Sequence, residues 1–74
     1  MKLQIIMDRS GDTRHEFDAT DAIQLADATA RFLALTAEGF TAVAVGREGE
    51  PGLLMREFDP NTEQTLFIPR LQGG

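Results

Sequence analysis

The sequence predicts an α+β domain in which one long helix covers one face of a mixed sheet of four to five strands. Three observations lead there. Apolar and polar residues alternate over short runs on both sides of the chain's middle, as in half-buried strands. A single central stretch, AIQLADATARFLALTAE (residues 22–38), is rich in good helix formers and repeats apolar residues at spacings of three and four. Segments containing Gly, Pro, Asn and Asp punctuate these runs at short intervals.

KLQIIMD (residues 2–8) is the first strand, with Leu3, Ile5 and Met7 on one face and Gln4 and Ile6 on the other. RSGD (9–12) is a turn in which Gly11 is free to take positive φ. TRHEFDA (13–19) then places Thr13, His15 and Phe17 on a common face, so the two strands read as a hairpin. FDATD (17–21) is a helix start: Asp18 or Thr20 is expected to accept hydrogen bonds from the free amides of the first turn, and Asp21 suits the positive end of the dipole.

Within the helix, Ile23, Ala26, Ala30, Leu33 and Ala37 predict the buried stripe, with Gln24, Asp27, Arg31 and Glu38 turned to solvent. Leu25 and Phe32 lie off that stripe and are expected to widen the buried face. Gly39 stands where a left-handed C-terminal cap belongs. FTAVAVG (40–46) is the third strand, with Val43 and Val45 opposite Ala42 and Ala44. REGEPG (47–52) is a turn, LLMREFD (53–59) a fourth strand, and DPNTEQ (59–64) another turn. TLFIP (65–69) is the last strand, with Leu66 and Ile68 opposite Phe67, and Pro69 ends its pairing.

A helix between the second and third strands, with a last strand parallel to the first, describes a β-grasp arrangement. A ferredoxin-like fold would need a second helix. The expected organisation is one domain over residues 1–69 and a flexible tail over residues 70–74.

Composition narrows the function. At 74 residues the chain makes one small domain, and 42% hydrophobic residues suffice for a two-layer core. It has no cysteine, which excludes thiolate chemistry and is compatible with a reducing cytoplasm. MKLQIIMDRSGD has too short an apolar run for a signal peptide, and no stretch approaches the roughly 20 apolar residues of a membrane span. A net charge of −5 with scattered basic residues argues against a nucleic-acid partner. His15 is the single histidine and has no evident nucleophile beside it; Ser10 lies in a turn, and the acidic residues show no metal-ligand spacing. GREGEPG is acidic and precedes no helix, so it is not a phosphate loop. The chain reads as no enzyme, with no metal or cofactor of its own. Arg56 and Glu57 on an edge strand argue for a monomer.

The final residues, TLFIPRLQGG, carry a resemblance. By composition alone, two consecutive glycines at a given place arise about 0.5% of the time. FIPRLQGG is similar to the aromatic–apolar–Pro ending of the small subunit of molybdopterin synthase, and RLQGG is similar to the Leu-x-Gly-Gly ending of ubiquitin. The chain thus resembles the β-grasp superfamily of ubiquitin-like modifiers and the sulfur carriers of molybdopterin and thiamine synthesis. It departs from the molybdopterin carriers in having one proline before the tail, followed by Arg70, and from the thiamine carrier in its longer helix.

That resemblance implies a protein modifier of the prokaryotic kind, in which the Gly74 carboxylate is adenylated and passed to a thiol and then an amine. It implies an alternative as a sulfur carrier ending in a thiocarboxylate. The expected partners are an ATP-using activating enzyme, a conjugating enzyme and a deconjugating protease. Gly73 and Gly74 lack a Cβ, so they fit a narrow channel, and Arg70, Leu71 and Gln72 form the reach that the activating enzyme reads. Ile6 and Phe67, extended by Ala44, are expected as an apolar recognition patch on the sheet face away from the helix. A non-covalent β-grasp binding module is the reading from a different class.

Overall fold

The computed structural model describes residues 1–48, 50 and 52–70. Five strands and one helix follow in the order β1 (Lys2–Asp8), β2 (Gly11–Phe17), α1 (Ala22–Ala37), β3 (Thr41–Val45), β4 (Leu53–Met55) and β5 (Gln64–Ile68). The strands form one sheet in the spatial order β2-β1-β5-β3-β4, in which β1 and β5 run parallel and the other neighbours antiparallel. The fold is therefore α+β, with a mixed five-stranded sheet and the helix on one of its faces.

Local chemistry explains the joints. The β1–β2 hairpin turns at Asp8, whose Oδ1 accepts bonds from Ser10 N (2.8 Å) and Ser10 Oγ (2.6 Å). Gly11 follows at φ +126°, a conformation that side chains with a Cβ rarely adopt. Asp21, in extended geometry, caps α1 by accepting from Ile23 N and Gln24 N. Asp18, expected with Thr20 as the cap, instead closes the preceding turn by accepting from Thr20 N and Thr20 Oγ1. Gly39 ends the helix at φ +105°. The fourth strand is short: pairing to β3 covers Leu53 to Met55, while Arg56 and Glu57 bend away instead of carrying the edge.

Two expectations about orientation are reversed. The expected helix stripe is exposed, with Ile23 at 76% and Leu33 at 60% of full accessibility, and Ala26, Ala30 and Ala37 also in solvent. The buried face is instead that of Ala28 and Phe32, flanked by the half-buried Leu25 and Leu35. Phe32 is thus not a widening of the core but its centre. It packs edge-on against Phe67 and Phe58, each with ring centroids 5.8 Å apart, and Phe58 reaches Phe17 at 6.1 Å. Aromatic pairs of this geometry are worth about 0.5–1.5 kcal/mol beyond the area they bury. A helix turned to bury Ile23 and Leu33 would forgo them.

The sheet is reversed in the same sense. Gln4, Ile6, Ala42, Thr65 and Phe67 face the helix, and Leu3, Ile5, Val43, Leu66 and Ile68 face away. Pairing with β2 explains this. Leu3 stands opposite Glu16, Ile5 opposite Arg14 and Met7 opposite Asp12, so those apolar residues share a face with three charges. Turning Leu3 and Ile5 toward the helix would bury Arg14 and Glu16, at a cost that no aliphatic gain offsets. Gln4 goes inside, fully buried, with its amide satisfied at both ends: Nε2 donates to Ala28 O at 3.0 Å, and Arg31 Nη1 donates to Oε1 at 2.8 Å.

The rotation of α1 is directly testable. We expect Phe32→Ala to cost about 3–5 kcal/mol, most of the stability of a domain this small, and Leu33→Ala to stay within about 0.5 kcal/mol. Chemical denaturation reads both, and the opposite ranking would refute the orientation.

Candidate functional site

The open sheet face carries a continuous apolar row built by register. Ile5 lies beside Leu66, Leu66 beside Val43 and Val43 beside Leu54, so one residue from each of four adjacent strands stands in line. Arg14 on β2 continues the row to the opposite edge. Leu54 is 64% exposed; Ile5, Val43 and Leu66 are half-buried by one another. Ile68 and Met7 extend the patch toward the end of β5, both more than a third exposed. A row of this kind is more than a stray exposed apolar residue.

The expected patch of Ile6, Phe67 and Ala44 is not on this face. Ile6 and Phe67 are neighbours across the parallel β1–β5 pair, as anticipated, but both point at the helix. Phe67 is wholly buried and Ile6 packs against the Phe32–Ala42–Phe67 cluster. Ala44 shares their parity and sits beside buried Thr65. The residues that do form the open row were visible in the sequence through β2: its alternation of Asp12, Arg14 and Glu16 marks the solvent side of the whole sheet.

The chain leaves this sheet from its middle. β5 ends at Ile68, and beyond Pro69 the aliphatic stem of Arg70 lies over Gly39: a Cβ built on Gly39 would come 3.5 Å from Arg70 Cδ. Arg70 therefore starts the tail from a defined place at the helix end. Leu71, Gln72, Gly73 and Gly74 lie outside the described residues.

Two polar groups flank these features. At the base of the open face Glu63 accepts from Lys2 Nζ at 3.0 Å and from Arg47 Nη2 at 3.4 Å, and these cations hold its carboxyl below the usual range. The cleft there also contains Arg14 and Glu16, so its cations are already opposed by carboxylates and offer no vacant anion site. On the helix side His15 pairs across the strands with Gln4. Partial burial, then the charge of Arg31, lowers its pKa from 6.5. Ser10 donates its hydroxyl to Asp8 and has no histidine partner, so neither residue assembles a nucleophile. Among the described residues no cluster of three His, Cys, Asp or Glu could hold a metal ion, and no helix is long and apolar enough to cross a membrane.

The His15 shift carries a signed prediction. Its folded pKa lies below the unfolded value, so the unfolded chain binds the extra proton and stability falls as pH drops from above 6.5 through the folded pKa. An NMR titration of the His15 ring should give a midpoint below 6.5, and Arg31→Gln should move it upward. A midpoint at or above 6.5 in the unaltered protein would contradict this environment.

Comparison of the chain with protein-family models, with curated proteins and with solved structures finds no match.

Proposed function

We propose that this protein is a β-grasp, ubiquitin-like modifier of the prokaryotic kind, acted upon through the Gly73–Gly74 carboxylate. The observation that carries this reading is topological. The last strand is central, parallel to the first, and delivers the chain past Pro69 and Arg70 into a Leu-Gln-Gly-Gly sequence. Three or four extended residues beyond Arg70 reach roughly 10–14 Å, enough to enter a partner's active site.

The chemistry needs little from the chain itself. A terminal carboxyl has a pKa of roughly 3.5, so it is ionised and nucleophilic at neutral pH. The carboxylate oxygen attacks the α-phosphorus of ATP in an activating enzyme's site, forming the acyl-adenylate and expelling pyrophosphate. A cysteine thiolate on the activating or conjugating enzyme then displaces AMP to give a thioester. A target amine displaces that thiol and forms the amide, which a deconjugating protease hydrolyses. The protein is the substrate of each step and the catalyst of none, and the ATP requirement fits a cytoplasmic setting. The open row of Ile5, Leu66, Val43 and Leu54 gives these enzymes a surface to hold while the tail is inserted.

A sulfur carrier shares the adenylate and differs in the next nucleophile. A sulfide donor would displace AMP and leave a thiocarboxylate on Gly74. The FIP sequence before the tail favours this second reading. A β-grasp module that only binds would use the open row and leave the tail idle.

Intact mass spectrometry separates the three. With its activating enzyme and ATP, the protein should gain an adenylate or thioester, and deletion of Gly74 should abolish the gain. A lysine-linked adduct on another protein identifies the modifier; a mass increase of one sulfur-for-oxygen exchange identifies the carrier. Natural protein whose chain continues beyond Gly74 without being trimmed would sink both.

A further inference from the structure

The outward face of α1 is unusually apolar. At about 100° per residue, Ala22, Leu33, Ala26, Ala37, Ala30, Ile23 and Ala34 fill a contiguous arc of about 120°. No charged or hydrogen-bonding side chain interrupts it. All seven are exposed, and the two largest, Ile23 and Leu33, are 76% and 60% accessible. The arc lies across the helix axis from Phe32 and Ala28, so α1 carries two apolar faces: one packs on the sheet, the other meets nothing within the described residues. Helices apolar on both sides are ordinarily covered on both. Nor are these residues needed for the fold, because the core is complete without them.

The rim says what kind of surface would cover the arc. Asp27 and Glu38 border it on one side, and the uncharged Thr29 and Thr36 on the other. Asp27 and Glu38 enter no ion pair among the described residues. Arg31, the one cation on the helix, is drawn away to Gln4 Oε1. The arc is therefore apolar at its centre and negative along one edge, on a chain whose net charge is −5. An antiparallel second copy of this chain would bring the same carboxylates against each other. The alanines allow the close approach of another helix, at axial separations of about 8–10 Å.

We propose that the outward face of α1, centred on Ile23, Ala26, Ala30 and Leu33, is a docking surface for a basic amphipathic helix of another protein. Its apolar side seats on the alanine floor between Ile23 and Leu33, and its Lys or Arg flank meets Asp27 and Glu38. The surface lies on the opposite side of the domain from the Ile5–Leu54 row. It does not depend on the tail chemistry proposed above.

Two designed helical peptides of about 20 residues test this, identical in their Leu/Ala face and flanked by Lys in one and by Glu in the other. In amide-detected NMR titrations, the Lys-flanked peptide should shift the resonances of residues 22–38 on the outward arc. It should bind at least about tenfold more tightly than its Glu-flanked twin. Asp27→Lys with Glu38→Lys should reverse the preference. Ile23→Ser with Leu33→Ser should abolish binding while leaving the thermal midpoint within a few degrees, since both side chains are exposed. Deleting Gly74 should change nothing here. Four results would overturn the proposal: equal affinity for the two peptides, shifts centred on Ile5 and Leu54, no binding, or a dimer of the chain alone that Ile23→Ser with Leu33→Ser dissolves.

Discussion

The buried amide of Gln4 is the contact on which the arrangement of the two layers depends. It donates to Ala28 O on the helix and accepts from Arg31 one turn further on, bridging β1 to α1 at two points. A buried amide with one end unsatisfied costs about 1–3 kcal/mol, so the pair of bonds tolerates little slippage of the helix along the strand. A purely apolar contact would allow the helix to roll. This one fixes both its height and its rotation, and through that rotation decides that Phe32 enters the core while Ile23 and Leu33 stay out.

Consequences spread across the sheet because side chains alternate with a period of two. With Gln4 inside, Ile6 is inside; with Ile6 inside, its parallel neighbour Phe67 is inside; with Phe67 inside, Ala42 is as well. Ile5, Leu66, Val43 and Leu54 are then left as the open row. The same alternation ends at Ile68 and Pro69, where the chain leaves the sheet beside Gly39. The core, the open row and the origin of the tail are three outcomes of a single choice of parity.

Element positions were largely legible in the sequence, and their facing was not. Five strands, one helix, the Gly39 cap and the glycine turn at residue 11 follow from local patterns, which depend on near neighbours. Facing is a non-local property. Judged on β1 alone, Leu3, Ile5 and Met7 outweigh Gln4 and Ile6, and the burial of a glutamine looks unfavourable. The decision belongs to β2, whose Arg14 and Glu16 are tied by register to Ile5 and Leu3 and are dearer to bury than Gln4. The helix misled for a related reason: with so many alanines, two stripes share the helical period, and hydrophobicity ranks the wrong one first. Counting aromatic partners instead selects Phe32, since Phe17, Phe58 and Phe67 need a common centre. The open-row residues of the candidate site were therefore recoverable from β2, whereas the Gly-Gly motif was legible without any fold at all.

The distribution of buried side chains bears on how such a domain can carry so much exposed apolar surface. Among the described residues the fully buried hydrophobic ones are Phe17, Ala28, Phe32, Ala42 and Phe67. Phe32, Ala42 and Phe67 form one buried cluster, closed over by Phe58, Ile6 and Leu35, and Phe58 links it to Phe17. The alanines matter as much as the rings, because they let helix and sheet approach closely enough for Phe32 to touch Phe67. Strongly exposed apolar residues such as Ile23, Leu33 and Leu54 stand outside this cluster. Aliphatic residues on the open row and on the outer arc of α1 are then not remnants of the core. Each exposes apolar area that the fold gains nothing by exposing, and the net negative charge opposes self-association. Under that arrangement a substitution at the exposed Leu54, Ile23 or Leu33 should alter a partner's binding before it alters whether the protein folds.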